Sequence, residues 1–374
     1  MYTTDVEKLK EELKGKVINP RKLVSKQASA KTVEVFEYLQ ELYRHKTVFG
    51  QQYLQKEELE DRVYFDCTGK LPAMRGYDMM DVDPKHNWGQ LDRAIEWAKK
   101  SGCIITLCWH WYAPDNMEDM ENCPWSFYTK EANADHSTSF DLFRAVEPGT
   151  PEYEFVIASI DKAAEQLKRF EAEDIPVLWR PLHEAYGNWF WWGNKGNDNG
   201  ASVEAYKKLW YIIFDRLENY HKMTNLIWVW NGQNKCMAID PNTYDICGED
   251  IYSQLPHDHS SQKEKFEEIV SYSHGKMVTL SECGFIPDPD QMKADKVTWL
   301  WWLPWWGSFV YKMDENWKTV FDDKGNPIIS DKYMNEEFLR RIMNDDRVVT
   351  LDRLPWITPE NLAFAEKTVN NHEK

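Results

Sequence analysis

The sequence predicts an α/β fold built as one domain, a single (β/α)8 TIM barrel, and three observations predict it. Short apolar segments alternate with amphipathic helical patterns, eight such segments can be picked out, and no repeat, low-complexity tract or Pro/Gly-rich linker interrupts them. Alternation of this kind implies parallel strands joined by helical crossovers, and eight strands suffice to close the sheet on itself. At 374 residues the chain is long for one core, but a barrel reaches this length with insertions.

In chain order the strand segments are "TVFGQQ" from Thr47, "LPAMRGYDMM" from Leu71, "CIITLCWHW" from Cys103 and "IPVLWRPLHEA" from Ile175. They continue with "NLIWVWNG" from Asn225, "YDICGEDIYS" from Tyr244, "KMVTLSECG" from Lys276 and "VTWLWWLPWWG" from Val297. The second has the weakest strand signal. Apolar residues at spacings of three and four predict helices in "WGQLDRAIEWAKKSG" from Trp88, "EYEFVIASIDKAAEQLKRFEAED" from Glu152 and "ASVEAYKKLWYIIFDRLENYHK" from Ala201. Further helices are expected in "EKFEEIVSYSHG" from Glu264 and "NEEFLRRIMNDD" from Asn335. Residues 1–30 read as an N-terminal arm packed on the barrel, and 31–374 as the barrel with a C-terminal tail. The stretch "NMEDMENCPWSFYTKEANADHSTSFDLF" reads as a long loop after the third strand, on the face where barrels of this type build their clefts.

A formal charge of −17 repels nucleic acid and anionic membranes and favours a neutral ligand. Aromatics form 14% of the chain, with 19 Trp, and flat rings with one polar edge suit the faces of sugars. The seven Cys form neither CxxC pairs nor zinc spacing, so no cysteine-bound metal is expected. The first residues, "MYTTDVEKLKEELKGK", are charged and contain no apolar signal core, and no later run is long enough to span a bilayer. The expectation is a secreted or periplasmic protein whose signal peptide is not in this sequence, with cytoplasmic residence the alternative.

Glu184 ends the fourth strand segment and Glu282 the seventh, each after an apolar run and each followed by Gly within three residues. Both should project into the mouth of the barrel. A pair of carboxyls from separate strands is what glycosidic cleavage needs, one to protonate the leaving oxygen and one on the opposite face of the sugar. Around the first of them, "WRPLHEAYGNWFWWG", with "LSECG" around the second, resembles the signature segments of glycoside hydrolase family 26, best known as endo-β-1,4-mannanases. "FGQQ", "GYDMMD", "CWHW", "DIYS" and "LPWWG" extend the resemblance over roughly residues 45–310.

The resemblance implies a retaining mechanism with Glu184 as general acid/base and Glu282 as nucleophile. It also implies substrate contacts from His110, His183, Trp189, Tyr252 and Trp305. Tyr252 would stand near the nucleophile, Trp189 would be a sugar platform, and the two histidines and Trp305 would line the subsite of the cleaved sugar. Arg180 is a further substrate-binding candidate, with ordering of Glu184 as its alternative role, and Asp78 lies near the mouth without an assigned one. Alternation along a straight strand puts Arg180, Leu182 and Glu184 on one side and aims His183 away from the mouth. Trp301, Trp302 and Trp306 cannot all face the cleft, so about half of such neighbours should be packing.

The expected partners are β-mannan polysaccharide and its oligosaccharides, acted on by a monomer without metal or organic cofactor. Exo-release of mannobiose, lichenase or β-1,3-xylanase activity, and a catalytically silent carbohydrate-binding protein are the rivals. The last has no use for both glutamates. "HDH" at His257 to His259 suggests a metal hydrolase, but it lies in a polar segment without further ligands at fixed spacing.

Overall fold

Each of the eight segments forms a strand in the computed structural model, which describes residues 4–82, 87–196 and 199–371. The strands are β1 (Thr47–Gln52), β2 (Met74–Asp78), β3 (Ile104–Cys108), β4 (Val177–Arg180), β5 (Leu226–Trp230), β6 (Ile246–Ile251), β7 (Met277–Cys283) and β8 (Trp301–Pro304). Every strand pairs in parallel with the next, and β8 pairs with β1 through Val48↔Trp301 and Phe49↔Trp302, closing the barrel. A ninth short strand, Val348–Val349, adds in parallel to the start of β1. The faintly signalled second segment is β2, in register with β3 over its whole length.

Helices bridge most successive strands because their sequences supply both an apolar stripe and end signals. Pro151–Ala172, between β3 and β4, is capped by the Thr150 side chain accepting from the Tyr153 amide and carries Pro at its first position. It buries Val156, Ile160, Ala163, Leu167 and Phe170 against the sheet. The β5–β6 connection departs from the pattern. It makes two 3₁₀ turns, Lys235–Met237 and Pro241–Thr243, because Asn234 and Asp240 cap each turn locally and Pro241 prevents continuation.

Most of the tryptophans fill the layer between sheet and helices. Trp228 packs on Trp210 and Phe214, with ring centroids 5.7 and 5.0 Å away, and Trp230 donates its indole N–H to the Tyr206 hydroxyl at 3.0 Å. Trp301 and Trp302 are fully buried, whereas Trp305 and Trp306 keep part of their surface. Residues 4–29 lie along the barrel: helix Val6–Leu13 buries Val6, Leu9 and Leu13 beside helix Ala201–Asp215, and the Val24 amide donates to Asp245. Helix Pro359–Asn371 packs on Gln90–Ser101 and Leu59–Thr68. Residues 1–3 of the expected arm and 372–374 of the expected tail lie outside the described residues. Among the described residues, no helix is long and apolar enough to cross a membrane.

Several acids are buried with few positive neighbours. Burial pushes Asp245 up to about 6, Glu60 and Glu218 to about 7 and Glu249 to about 8. Each folded-state value lies above that of the unfolded chain, roughly 4. The folded protein therefore holds more protons than the unfolded chain across roughly pH 4 to 8, and stability falls as pH rises through that window. The melting temperature should be higher at pH 5.5 than at pH 9, and Glu218→Gln should flatten the difference. A melting temperature that rises over the same range would contradict this assignment.

Candidate active site

Charged residues from three strands meet at the C-terminal mouth of the barrel. Arg180, the last residue of β4, is fully buried, and its guanidinium donates through Nη1 to Asp250 Oδ2 on β6 at 2.8 Å and through Nη2 to Glu282 Oε1 on β7. Tyr252, just beyond β6, donates its hydroxyl to Glu282 Oε2 at 2.7 Å. Both oxygens of Glu282 are thus held, one by a full positive charge and one by a phenol.

A β-bulge sets this arrangement. The β6–β7 register runs Glu249↔Leu280 and then Asp250↔Glu282, which leaves Ser281 as the extra residue. Strict alternation would send Ser281 and Glu282 to opposite faces, but the bulge lets both join one network. Ser281 Oγ donates to Asp250 Oδ1 at 2.6 Å and accepts from Asn231 Nδ2 at 2.8 Å. Gly248, opposite, has to lack a Cβ, which would overlap Ser281 Oγ.

Glu184 reaches the same mouth by a different device. The strand ends at Arg180, and Leu182 and Glu184 take φ of 51° and 53°, a left-handed conformation that costs a non-glycine residue energy and concentrates at functional sites. The Glu184 amide donates to Asn231 Oδ1 at 2.9 Å, which ties it to the end of β5. Trp189 folds back across Gly187, where a Cβ would overlap the indole, and its Nε1–H donates to Glu184 Oε2 at 2.6 Å. One oxygen each of Glu184, Asp250 and Glu282 lies within 4.8 Å of the others. Burial, then the negative charges of Asp250 and Glu282, push the Glu184 carboxyl well above its ordinary range. The Trp189 bond and Arg180 pull in the other direction.

A second wall is aromatic. His110, just past β3, gives its backbone N–H to Asp78 Oδ1 at 3.0 Å and its ring Nδ1 to Asp78 Oδ2. With Nδ1 bound to a carboxylate, Nε2 is the ring nitrogen left for a further hydrogen bond. Asp78, which had no assigned role, is therefore the residue that orients His110. The His110 ring lies 5.9 Å from Trp305, 4.6 Å from Phe127 and 5.4 Å from Phe190. The loop after β3 is fastened here by a Tyr128↔Phe190 bridge and by the Thr129 amide donating to the Trp189 carbonyl at 2.7 Å.

Two residues expected to bind substrate do not face the cleft. Arg180 is enclosed, with Nη1 donating to Asp250 and Nη2 to Glu282, so its place is behind Glu282 and not against a sugar. His183 is fully buried, edge-on to His110 at 4.6 Å, with neither ring nitrogen bonded within the protein. Burial, then His110 and Arg180, hold it neutral. Straight-strand counting does not apply to His183, because the strand has already ended at Arg180. Glu184, Trp189, Tyr252, Glu282, His110 and Trp305 are brought together. Asp250, Ser281 and Asn231 were not singled out in the sequence, although Asp250 stands in "DIYS" and Asn231 follows the apolar run of β5.

Among the described residues, two constellations gather three potential metal ligands each, Asp78–Cys108–His110 and Glu184–Asp250–Glu282. In the first, Asp78 is occupied by His110, and burial keeps Cys108 a thiol, a poor ligand. In the second, a cation would have to displace the Arg180 guanidinium. Neither donor set suits a metal. Of the "HDH" histidines, His259 bonds the Ile286 carbonyl at 2.7 Å and stacks on Phe338, while His257 is exposed.

The sequence profile of glycosyl hydrolase family 26 matches residues 24–328. A mannan endo-1,4-beta-mannosidase of Thermothelomyces thermophilus is 32% identical over 343 residues, covering 89% of this chain and 63% of that protein. Mannan endo-1,4-beta-mannosidase A of a Piromyces species is 36% identical over 298 residues, covering 77% of this chain and 42% of that protein. The chain therefore spans less than two thirds of the length of either relative. A Podospora anserina β-(1,4)-mannanase superposes with a TM-score of 0.74 at 32% identity, over 91% of this chain and 70% of that one. A β-mannanase from a symbiotic protist of the termite Reticulitermes speratus, complexed with gluco-manno-oligosaccharide, gives 0.72 at 28% identity, over 90% and 98%. With the profile spanning most of the barrel and the two glutamates meeting at its mouth, the chain belongs to glycoside hydrolase family 26.

Proposed function

We propose that this chain is a retaining endo-β-1,4-mannanase that hydrolyses mannan, glucomannan or galactomannan by double displacement. The observation that carries the proposal is a pair of carboxyls, from Glu184 and Glu282, with one oxygen of each lying within 4.8 Å of the other. Retaining enzymes place the two carboxyls ~5 to 5.5 Å apart, whereas inverting ones leave ~6.5 to 9.5 Å for a water. The carboxyl pushed up by burial, Glu184, protonates the leaving oxygen, and Glu282, oriented by Arg180 and Tyr252, attacks the anomeric carbon. Glu184, now a carboxylate, then takes a proton from the water that releases the sugar.

The substrate assignment rests on the relatives named above and on the aromatic wall. Half-buried Trp189 and Trp305 offer ring faces, and His110 Nε2 offers a hydrogen-bonding nitrogen to a sugar hydroxyl. Mannan, mixed-linkage β-glucan and β-1,3-xylan should be compared under identical conditions, with early products sized. Long manno-oligosaccharides first are the expected result. Mannobiose alone would mean exo action, and preference for either other polymer would overturn the substrate while leaving the mechanism standing.

Trp189 carries a second expectation. Its N–H stabilises the charged form of Glu184, so Trp189→Phe should raise the Glu184 pKa further and move the alkaline limb of kcat/KM to higher pH. An unmoved or lowered limb would show that the bond does not govern Glu184.

A further inference from the structure

At the opposite end of the barrel lies a cavity of about 550 Å³, framed by the segments entering β1 and β8 and by helices Lys263–Tyr272 and Pro289–Asp295. That volume falls in the ordinary range for small-molecule sites. Its inner surface is apolar, made by Phe266, Val270, Met292, Val297 and the fully buried Trp302. Its rim is cationic. Arg44, Lys46, Lys293 and Lys296 are exposed there, and among the described residues none has a carboxylate within ion-pair distance. A fifth cation of the lining, Arg347, is already paired with Asp290 and Asp345.

No Asp or Glu lines the cavity, in a chain whose formal charge is −17. Elsewhere on the surface some cations are paired, as Lys31 is with Glu34 and Lys70 with Asp352. Cations gathered around an apolar surface call for acceptors carried on an apolar body.

We propose that this cavity binds a small amphiphilic anion, an oxyanion head on an apolar body. The body packs against Phe266, Met292 and Val297, and the head accepts from the rim cations. A metal cation is repelled by the rim, and a neutral sugar leaves four charges without partners. A polyanion such as nucleic acid meets the whole negative surface, whereas a small anion seated within a Debye length of about 8 to 10 Å responds to the local cations.

The test uses 8-anilinonaphthalene-1-sulfonate as probe, with the uncharged N-phenyl-1-naphthylamine as its counterpart and folded protein throughout. The expected result is saturable single-site binding of the sulfonate, displaced by octanoate but not by equal sulfate or by manno-oligosaccharide. The uncharged counterpart and the doubly substituted Lys293→Glu, Lys296→Glu protein should each bind or be bound at least about tenfold more weakly, a free-energy change of about 1.4 kcal/mol. The double variant should keep its melting temperature and its kcat/KM on mannan, since neither lysine touches the catalytic mouth. Absence of saturable binding, equal affinity for the uncharged probe, undiminished binding by the double variant, or displacement by manno-oligosaccharide or equal sulfate would each overturn the proposal.

Discussion

Glu282→Ala should abolish turnover on every substrate, whatever the leaving group, with kcat lowered by at least about 10⁴-fold. No neighbouring group can take over the attack. Asp250 is the nearest other carboxyl, but it is fixed by Arg180 and Ser281 and buried, and burial pushes it up to about 7. The substitution also strips Arg180 of one of its two carboxylate partners and leaves the Tyr252 hydroxyl unpaired. Breaking a buried ion pair from one side costs about 3 to 5 kcal/mol, so the melting temperature should fall as well. Glu282→Gln keeps its carbonyl as an acceptor for Arg180, while its amide N–H can donate to the Tyr252 hydroxyl oxygen, and it should restore much of the stability and none of the activity. Activity retained in either variant, measured on mannan and on an aryl mannobioside, would remove Glu282 from the mechanism.

The second large effect depends on the leaving group. Glu184→Ala should lose on the order of 10² to 10⁴ in kcat/KM on mannan, where the departing sugar oxygen needs a proton. An activated aryl leaving group needs no proton, so the first step should proceed and the glycosyl-enzyme should accumulate. The second step then lacks its base, and azide, which requires none, should rescue it. The vacated space suits a small anion because Arg180 stands nearby and the charge of Glu184 has gone. Equal loss on both substrates without rescue would mean that Glu184 serves the fold and not proton transfer.

The parts of this site that were legible in the sequence are those written in local pattern. An apolar run that leads to Glu and then Gly marks the mouth end of a strand: Glu282 is the next-to-last residue of β7, and Glu184 follows four residues after β4 ends at Arg180. The eight strands were legible for the same reason, since buried parallel strands are apolar along their length. What was not legible depends on breaks in that pattern. The bulge at Ser281 has no composition signal, so a strict period of two could not place Ser281 and Glu282 in one network with Asp250 and Asn231. The left-handed turn at Leu182 and Glu184 likewise hid where His183 would point. Arg180 looked like a substrate ligand because an arginine near a cleft commonly is one. Only the three-dimensional placement of Asp250 shows that its charge is already used. The tryptophan density of the fourth segment has a mixed answer: Trp189 holds Glu184, Phe190 backs the two histidines, and Trp191 and Trp192 are core.

The stereochemistry of the first turnover tests the central claim most directly. Proton NMR of manno-oligosaccharide hydrolysis, followed from the earliest seconds before mutarotation, reads the anomer released at the new reducing end. Two displacements, by Glu282 and then by water activated by Glu184, require the β-anomer first, with the α-anomer growing in later by mutarotation. The α-anomer first would mean a single displacement by water, and would contradict an account in which the closeness of these two carboxyls makes one of them the nucleophile.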